Sequence, residues 1–164
     1  MKSKIKEDKD YEMNNEKYTL KEKYITKQKI DDLKLHDILK IQDGSNGSLF
    51  VFNGIVRRDK TEKEFVREII YETYEEMAKK EMEKIKQEAS RKFQVNEIFI
   101  KHRIGRVLVG EVSLVVAVFS THRREGIGAI DYIVDEIKKK VPVWKKEIFE
   151  DGSYRWVEGD VRYK

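Results

Sequence analysis

Three basic clusters in this chain could hold or transform an anion: Arg57-Arg58, His122-Arg123-Arg124, and Lys138 with Lys145 on either side of Pro142. Guanidinium forks grip phosphate oxygens bidentately, and the first turn of a helix offers free N–H groups and a positive dipole end. Gathered in one place, such groups would clamp a small phosphorylated ligand. A lysine does different chemistry. To act near neutrality as acid, base or amine nucleophile it needs burial or neighbouring positive charge to lower its pKa, and Lys139, Lys140, Lys145 and Lys146 supply such charge around Lys138. The dipole at a helix C-terminus works the other way, so a second reading is that Lys138, Lys139 and Lys140 only complement it and cover the helix end. Each basic pair alone also reads as solvated surface. His102 and His122 each precede an arginine. Without cysteine or a nearby acidic pattern they make a poor metal site, and His102 reads as a structural histidine.

The lysines are positioned by Pro142, the only proline in 164 residues. Proline lacks the N–H and its ring clashes with the preceding turn, so the helix must stop, and Val141 is pushed out of the α region. Lys138 then falls in a last helical turn and Lys145 early in a strand. The two meet across the corner if the strand folds back toward the helix end. The helix leading to this corner carries the face Ile127, Ile130, Ile133, Val134, Ile137, with Ser120 or Thr121 as its cap. Downstream, residues 143–149 and 154–157 flank Asp151-Gly152, a hairpin turn signal.

Upstream, the pattern predicts a short strand at 24–26, a helix over 31–39 with His36 on its surface, and a loop from Gly44 to Gly47. Residues 48–57 and 65–71 read as two arms of a hairpin joined by the polar stretch 59–64. A helix follows from Thr73 to Lys92, with Tyr74, Met77, Ala78, Met82, Ile85 and Ala89 on its core face. Residues 95–102 and 112–119 read as strands, the second apolar enough to be central, linked through Gly105 and Gly110. The predicted class is α+β, with helices packed on a mostly antiparallel sheet. There is no repeat, P-loop or dinucleotide fingerprint.

The length fits one domain, expected at 23–160, and a hydrophobic content of 39% can fill its core. Residues 1–22 are almost wholly polar and are expected to form a disordered tail. Lysine and arginine number 35 against 31 acidic residues, an excess too small and too evenly mixed to make a long-range field for nucleic acid. The absence of cysteine excludes disulfides, thiol nucleophiles and cysteine metal sites. If sulfur is handled, it arrives on something else. No apolar run spans a bilayer and the N-terminal residues lack a signal-peptide core, so a cytoplasmic location is expected.

Several short motifs, in order and in register, carry a resemblance. Gly54-Ile55-Val56-Arg57, Tyr71-Glu72-Thr73-Tyr74-Glu75-Glu76-Met77-Ala78, His102-Arg103-Ile104-Gly105, Gly110-Glu111-Val112-Ser113 and Thr121-His122-Arg123 are followed by Val141-Pro142-Val143-Trp144-Lys145-Lys146-Glu147, Asp151-Gly152 and Trp156-Val157. From about Tyr24 to Glu158 the chain resembles the large, catalytic subunit of molybdopterin synthase, the MoaE family. It departs from the pattern at Gly126-Ile127, where the family usually has Ala-Phe, and after Arg57, where a common glycine is missing.

The resemblance implies an α/β hammerhead fold with an additional antiparallel β subdomain. It implies a sulfurtransferase that converts precursor Z, the cyclic pyranopterin monophosphate, to molybdopterin, the organic part of the molybdenum cofactor. Two sulfurs would come from the C-terminal thiocarboxylate of a small ubiquitin-like carrier whose Gly-Gly tail enters the pocket. Lys138 and Lys145 would be catalytic, through proton transfer, stabilisation of charge or a transient lysine adduct. Arg57, His122 and Arg123 would bind substrate, with Lys146 and Glu147 in the adjoining binding segment. The implied assembly is a homodimer within a heterotetramer, each active site near the dimer interface, with no resident cofactor, no metal, no nucleic acid and no membrane. Two other readings remain: a basic RNA-binding module, and an inactive scaffold that binds the carrier.

Overall fold

Pro142 does break the chain as expected, and the architecture is arranged around that break. The computed structural model describes residues 11–14, 17–20, 24–30, 44–62 and 64–157. In chain order these form β1 (Tyr11–Asn14), β2 (Lys17–Leu20), β3 (Ile25–Thr26), β4 (Ser48–Ile55), β5 (Val66–Thr73), α1 (Glu75–Phe93), β6 (Glu97–Arg103), β7 (Gly105–Leu108), β8 (Val112–Ser120), α2 (Arg123–Lys140), β9 (Val143–Phe149) and β10 (Tyr154–Val157). The helix expected over 31–39 lies outside the described residues, as does much of the expected tail. Within that tail β1 and β2 pair with each other, placing Tyr11 opposite Leu20 and Met13 opposite Tyr18.

One four-stranded sheet has the order β3-β6-β8-β4. Its inner strand β8 is the continuous apolar run Val112 to Phe119, with Val116, Ala117 and Val118 fully buried. A strand covered on both faces needs no polar alternation. On one face Ile98, Ile100, Val116 and Val118 pack with Met82 and Ile85 of α1 and Ile133 and Ile137 of α2. On the other, Phe99, Val115 and Ala117 gather Ile30, Leu49 and Val51. Each fully buried aliphatic side chain contributes about 1.5–3 kcal/mol, so this layer holds most of the stability. The second sheet, β10-β9-β5-β7, is antiparallel throughout; among the described residues the parallel pairing is that of β3 with β6. The class is α+β, as predicted.

Four local expectations are corrected. The arms 48–57 and 65–71 do not form one hairpin: β4 pairs with β8, and β5 with β7 and β9. The reversal between them is local, closed by a Lys60–Phe65 bridge and a Thr61–Glu64 turn. A register shift between Gly54 and Ile55 bends the chain out of the first sheet before that reversal. Tyr74 and Met77 are not core, being 69% and 55% exposed. They sit at the start of α1, beyond the sheet it covers, with Tyr74 edge-on to Trp144. The link through Gly105 and Gly110 contains a strand, β7, which Gly105 begins at positive φ, while Gly110, also at positive φ, lies in the turn that follows it. Finally, α2 is capped by His122 in extended conformation with no side-chain cap bond. Ser120 is instead buried, donating to the His122 carbonyl (2.9 Å) and sharing a hydrogen bond with Ser48 (2.7 Å).

That seam explains Gly126. A Cβ there would run into the Ser120 hydroxyl and come 2.7 Å from the Phe50 ring, so these two side chains take the space an alanine would need. Gly126→Ala is expected to lower stability by about 1–3 kcal/mol through overpacking. Adding Phe50→Leu should recover part of the loss, the contact with the Ser120 hydroxyl remaining, as read by thermal unfolding of the single and double variants.

Candidate active site

The corner is built by backbone geometry first. α2 ends at Lys140, Val141 turns to φ −77° and ψ 126°, and its N–H still reaches the Ile137 carbonyl at 3.0 Å. The Thr73 hydroxyl donates to the Pro142 carbonyl at 2.6 Å and anchors the turn to the end of β5. β9 then runs antiparallel beside β5, with Val143 opposite Thr73 and Lys145 opposite Tyr71. Residues directly opposite share a face of the sheet. Tyr71 is buried and meets the His102 ring edge-on, with centroids 5.2 Å apart. Lys145 therefore stands half-buried on the face that carries Tyr71, toward β6. Lys138 is exposed in the last turn of α2.

Alternation along β9 separates the rest of the segment. Lys146 turns to the opposite face, its ammonium 4.0 Å from the centre of the Tyr154 ring and 5.7 Å from that of Trp156. Glu147 returns to the Lys145 face, where its carboxylate accepts from Arg155 at 2.6 Å. Lys145 and Lys146 thus cannot line the same surface. Arg155, Tyr71 and His102 are neighbours of the segment that the sequence did not single out as site residues. Finding them needs the strand register, which no local pattern encodes.

The arginines divide between two ends of the molecule. Arg57 lies just past β4, exposed and ion-paired with Asp59 at 3.0 Å, while its neighbour Val56 packs with Tyr71 and Val107. Arg57 and Lys145 accordingly belong to one end, and α2 delivers Lys138 back toward it. His122 and Arg123 lie at the other end, where Ser48 faces Ser120. The length of β4 separates the two ends by roughly 25 Å at 3.3 Å per residue, and α2, at 18 residues, spans about 27 Å. One chain does not bring all of the expected site residues together.

His102 sets the electrostatics of the corner. Its Nδ1 lies 2.8 Å from the Arg103 carbonyl. Burial pushes the imidazole from its ordinary 6.5 down to about 4; the carbonyl contact opposes this and the positive charge of Lys145 adds to it. Next to it, Arg103 binds Glu111 at 3.0 Å, and the Leu108 N–H donates to the same carboxylate at 2.9 Å. That N–H above all, with Arg103 and Lys29 assisting, holds the Glu111 carboxyl below the usual carboxylate range. Among the described residues no group of three His, Cys, Asp or Glu side chains could hold a metal ion, and no helix is long and apolar enough to cross a membrane.

A pH dependence of stability follows. His102 is neutral in the folded state at pH values where the unfolded imidazole is already protonated, so the unfolded chain binds more protons between about pH 6.5 and 4. Stability is expected to fall as pH drops through that window, by about 3 kcal/mol in all. His102→Phe should remove this part of the acid sensitivity, checked by denaturant unfolding at pH 7, 5.5 and 4.5.

Comparison with known proteins agrees with the fold and its motifs. The profile described as "MoaE protein" matches residues 25–140. The molybdopterin synthase catalytic subunit of Pyrococcus abyssi is 42% identical over 134 residues, which cover 81% of this chain and 89% of that protein. A crystal structure of molybdopterin synthase from Staphylococcus aureus superposes with a TM-score of 0.74 at 32% identity, covering 82% of this chain and 96% of that one. A chain of the Helicobacter pylori complex of subunits 1 and 2 of molybdopterin-converting factor shares the fold, with a TM-score of 0.65 at 21% identity over 84% of this chain and 90% of that one. On the profile match, the Pyrococcus relative and the fold together, this chain belongs to the MoaE protein family.

Proposed function

We propose that this chain is the catalytic subunit of molybdopterin synthase and transfers sulfur to precursor Z, a cyclic pyranopterin monophosphate. The sulfur donor is the C-terminal thiocarboxylate of a small ubiquitin-like carrier, a separate chain that this one binds as its small subunit. The activity is placed in the cytoplasm. The observation that carries this reading is the corner at Pro142. It sets Lys145 half-buried against Tyr71 and His102, at the end of the molecule that also holds Arg57 and the last turn of α2 with Lys138. Each transfer forms a carbon–sulfur bond at a side-chain carbon of the pterin as the C–O bond at that carbon breaks, its oxygen leaving with the phosphate or as water; hydrolysis then breaks the carrier's carbon–sulfur bond and releases its tail as carboxylate. Lys138 and Lys145 move protons and stabilise the negative charge that develops as the thiocarboxylate attacks, or bond transiently to the tail. Arg57 suits the phosphate, and Lys146 and Glu147 belong to the wall formed by β9 and β10.

His122 and Arg123 enter this reading through a second copy. The unbonded first-turn N–H groups of α2 and the Arg123 guanidinium form an anion-binding end, about 22 Å along α2 from Lys138. In a homodimer, one protomer's His122 and Arg123 can complete the site that the other protomer's Arg57, Lys138 and Lys145 begin. The Helicobacter pylori chain of the same fold is found in a complex of subunits 1 and 2 of molybdopterin-converting factor; with one carrier on each protomer of a homodimer, the proposed assembly is a heterotetramer. A nucleic-acid role is disfavoured because the basic clusters are split between ends and partly neutralised, Arg57 by Asp59, Arg58 by Glu150 and Lys140 by Glu136. They form no continuous track for a phosphate backbone.

The test is single-turnover formation of molybdopterin from thiocarboxylated carrier and precursor Z, read as its fluorescent oxidation product. Lys138→Ala is expected to abolish product while leaving fold and dimer intact; native-level product would remove the catalytic assignment. Lys138→Ala and Arg123→Ala chains, the first inactive and the second weak alone, are expected to regain activity when refolded together, because a mixed dimer contains one site with both residues native. Absence of recovery would place His122 and Arg123 outside the shared site.

A further inference from the structure

The buried polar side chains of this protein are Glu68, His102, Ser113 and Ser120, among the described residues. Three are accounted for by structure. Glu68 is held by Arg106 and Arg67, Ser113 donates to the Gly54 carbonyl at 3.2 Å, and Ser120 ties β4 to the start of α2. His102 is different. A phenyl ring in its place would meet Tyr71 edge-on equally well, without the desolvation cost of an imidazole. Its Nδ1 faces the Arg103 carbonyl, which can only accept, so Nδ1 carries the ring proton and Nε2 is left as an acceptor. The residue opposite Tyr71 on the neighbouring strand is Lys145, whose charge acts on this ring.

We propose that His102 is a positioning residue for Lys145: the neutral imidazole, fixed through the Arg103 carbonyl and braced by Tyr71, directs the lysine ammonium toward the reacting atoms. The inference rests on the reading of Lys145 as catalytic and deepens it. The imidazole and the Tyr71 ring are uncharged neighbours of the lysine, and Nε2 would accept from the ammonium when the lysine swings into the reactive geometry, in competition with no substrate oxygen. A lysine held this way loses less conformational freedom on reaching the reactive geometry, and the benefit falls on the rate of transfer and not on binding.

The experiment uses the full-length protein with thiocarboxylated carrier and precursor Z in single turnover at varied carrier concentration, comparing His102→Phe, His102→Gln and Lys145→Ala. The phenylalanine keeps the ring and loses both nitrogens, whereas the glutamine amide can reach the Nε2 position. His102→Phe is expected to lower the rate at saturating carrier about tenfold, with half-saturation unchanged within about twofold, and His102→Gln to recover most of that rate. Should the phenylalanine variant fail to fold, His102→Asn takes its place, since its amide can bond the Arg103 carbonyl but lacks Nε2. A native rate in His102→Phe, an equal loss in His102→Phe and His102→Gln, or a change confined to half-saturation would overturn the proposal. Lys145→Ala separates the two levels of inference: if it abolishes transfer while His102→Phe does not slow it, only the role of His102 falls. If Lys145→Ala transfers at the native rate, the catalytic reading of Lys145 falls as well.

Discussion

The ladder between β5 and β9 is the constraint on which the rest depends. After Pro142 the chain can no longer satisfy its backbone within a helix, and β9 finds its partners on β5 from Val143 opposite Thr73 onward. That register decides which side chains of the segment face inward. With Lys145 opposite Tyr71, the lysine shares a face with a buried ring. A slip of one residue would put Lys146 there and turn Lys145 out toward Tyr154 and Trp156. The Thr73 hydroxyl on the Pro142 carbonyl and the apolar contacts of Val143 hold the register at its starting point.

Much of the fold was legible because its signals are local. Pro142 ended α2 where expected, Asp151-Gly152 turned β9 into β10 with Gly152 at positive φ, and the unbroken apolar run of β8 proved to be an inner strand. The errors share a cause. Residues 48–57 and 65–71 look like a hairpin because a turn joins them, but sheet membership depends on distant partners and on the register shift at Gly54 and Ile55. Tyr74 and Met77 obey the helical period of α1, and period says nothing about where the covered surface stops.

The candidate site was legible in a different way. Lys138 and Lys145 were marked by their places around a proline, and the placement of both, one in a last helical turn and one in an early strand, follows from backbone chemistry. The environment of Lys145 was not legible, since Tyr71 and His102 reach it from strands about 74 and 43 positions earlier in the chain. The separation of Arg57 from His122 and Arg123 was hidden for the same reason. In sequence all are basic spots near element ends, and only the pairing of β4 with β8 shows that they are different ends.

The outer face of β9 and β10 has a practical consequence for spectroscopy. The chain has two tryptophans, Trp144 and Trp156, and they are 39% and 49% exposed, one beside Tyr74 and the other beneath the Lys146 ammonium. The principal core, built on β8 and the two helices, contains neither. Intrinsic tryptophan emission is therefore a local gauge of the β9–β10 surface. Quenching or a blue shift on mixing with another protein reports that this surface has been covered, whereas melting of the helical layer is followed by far-ultraviolet dichroism.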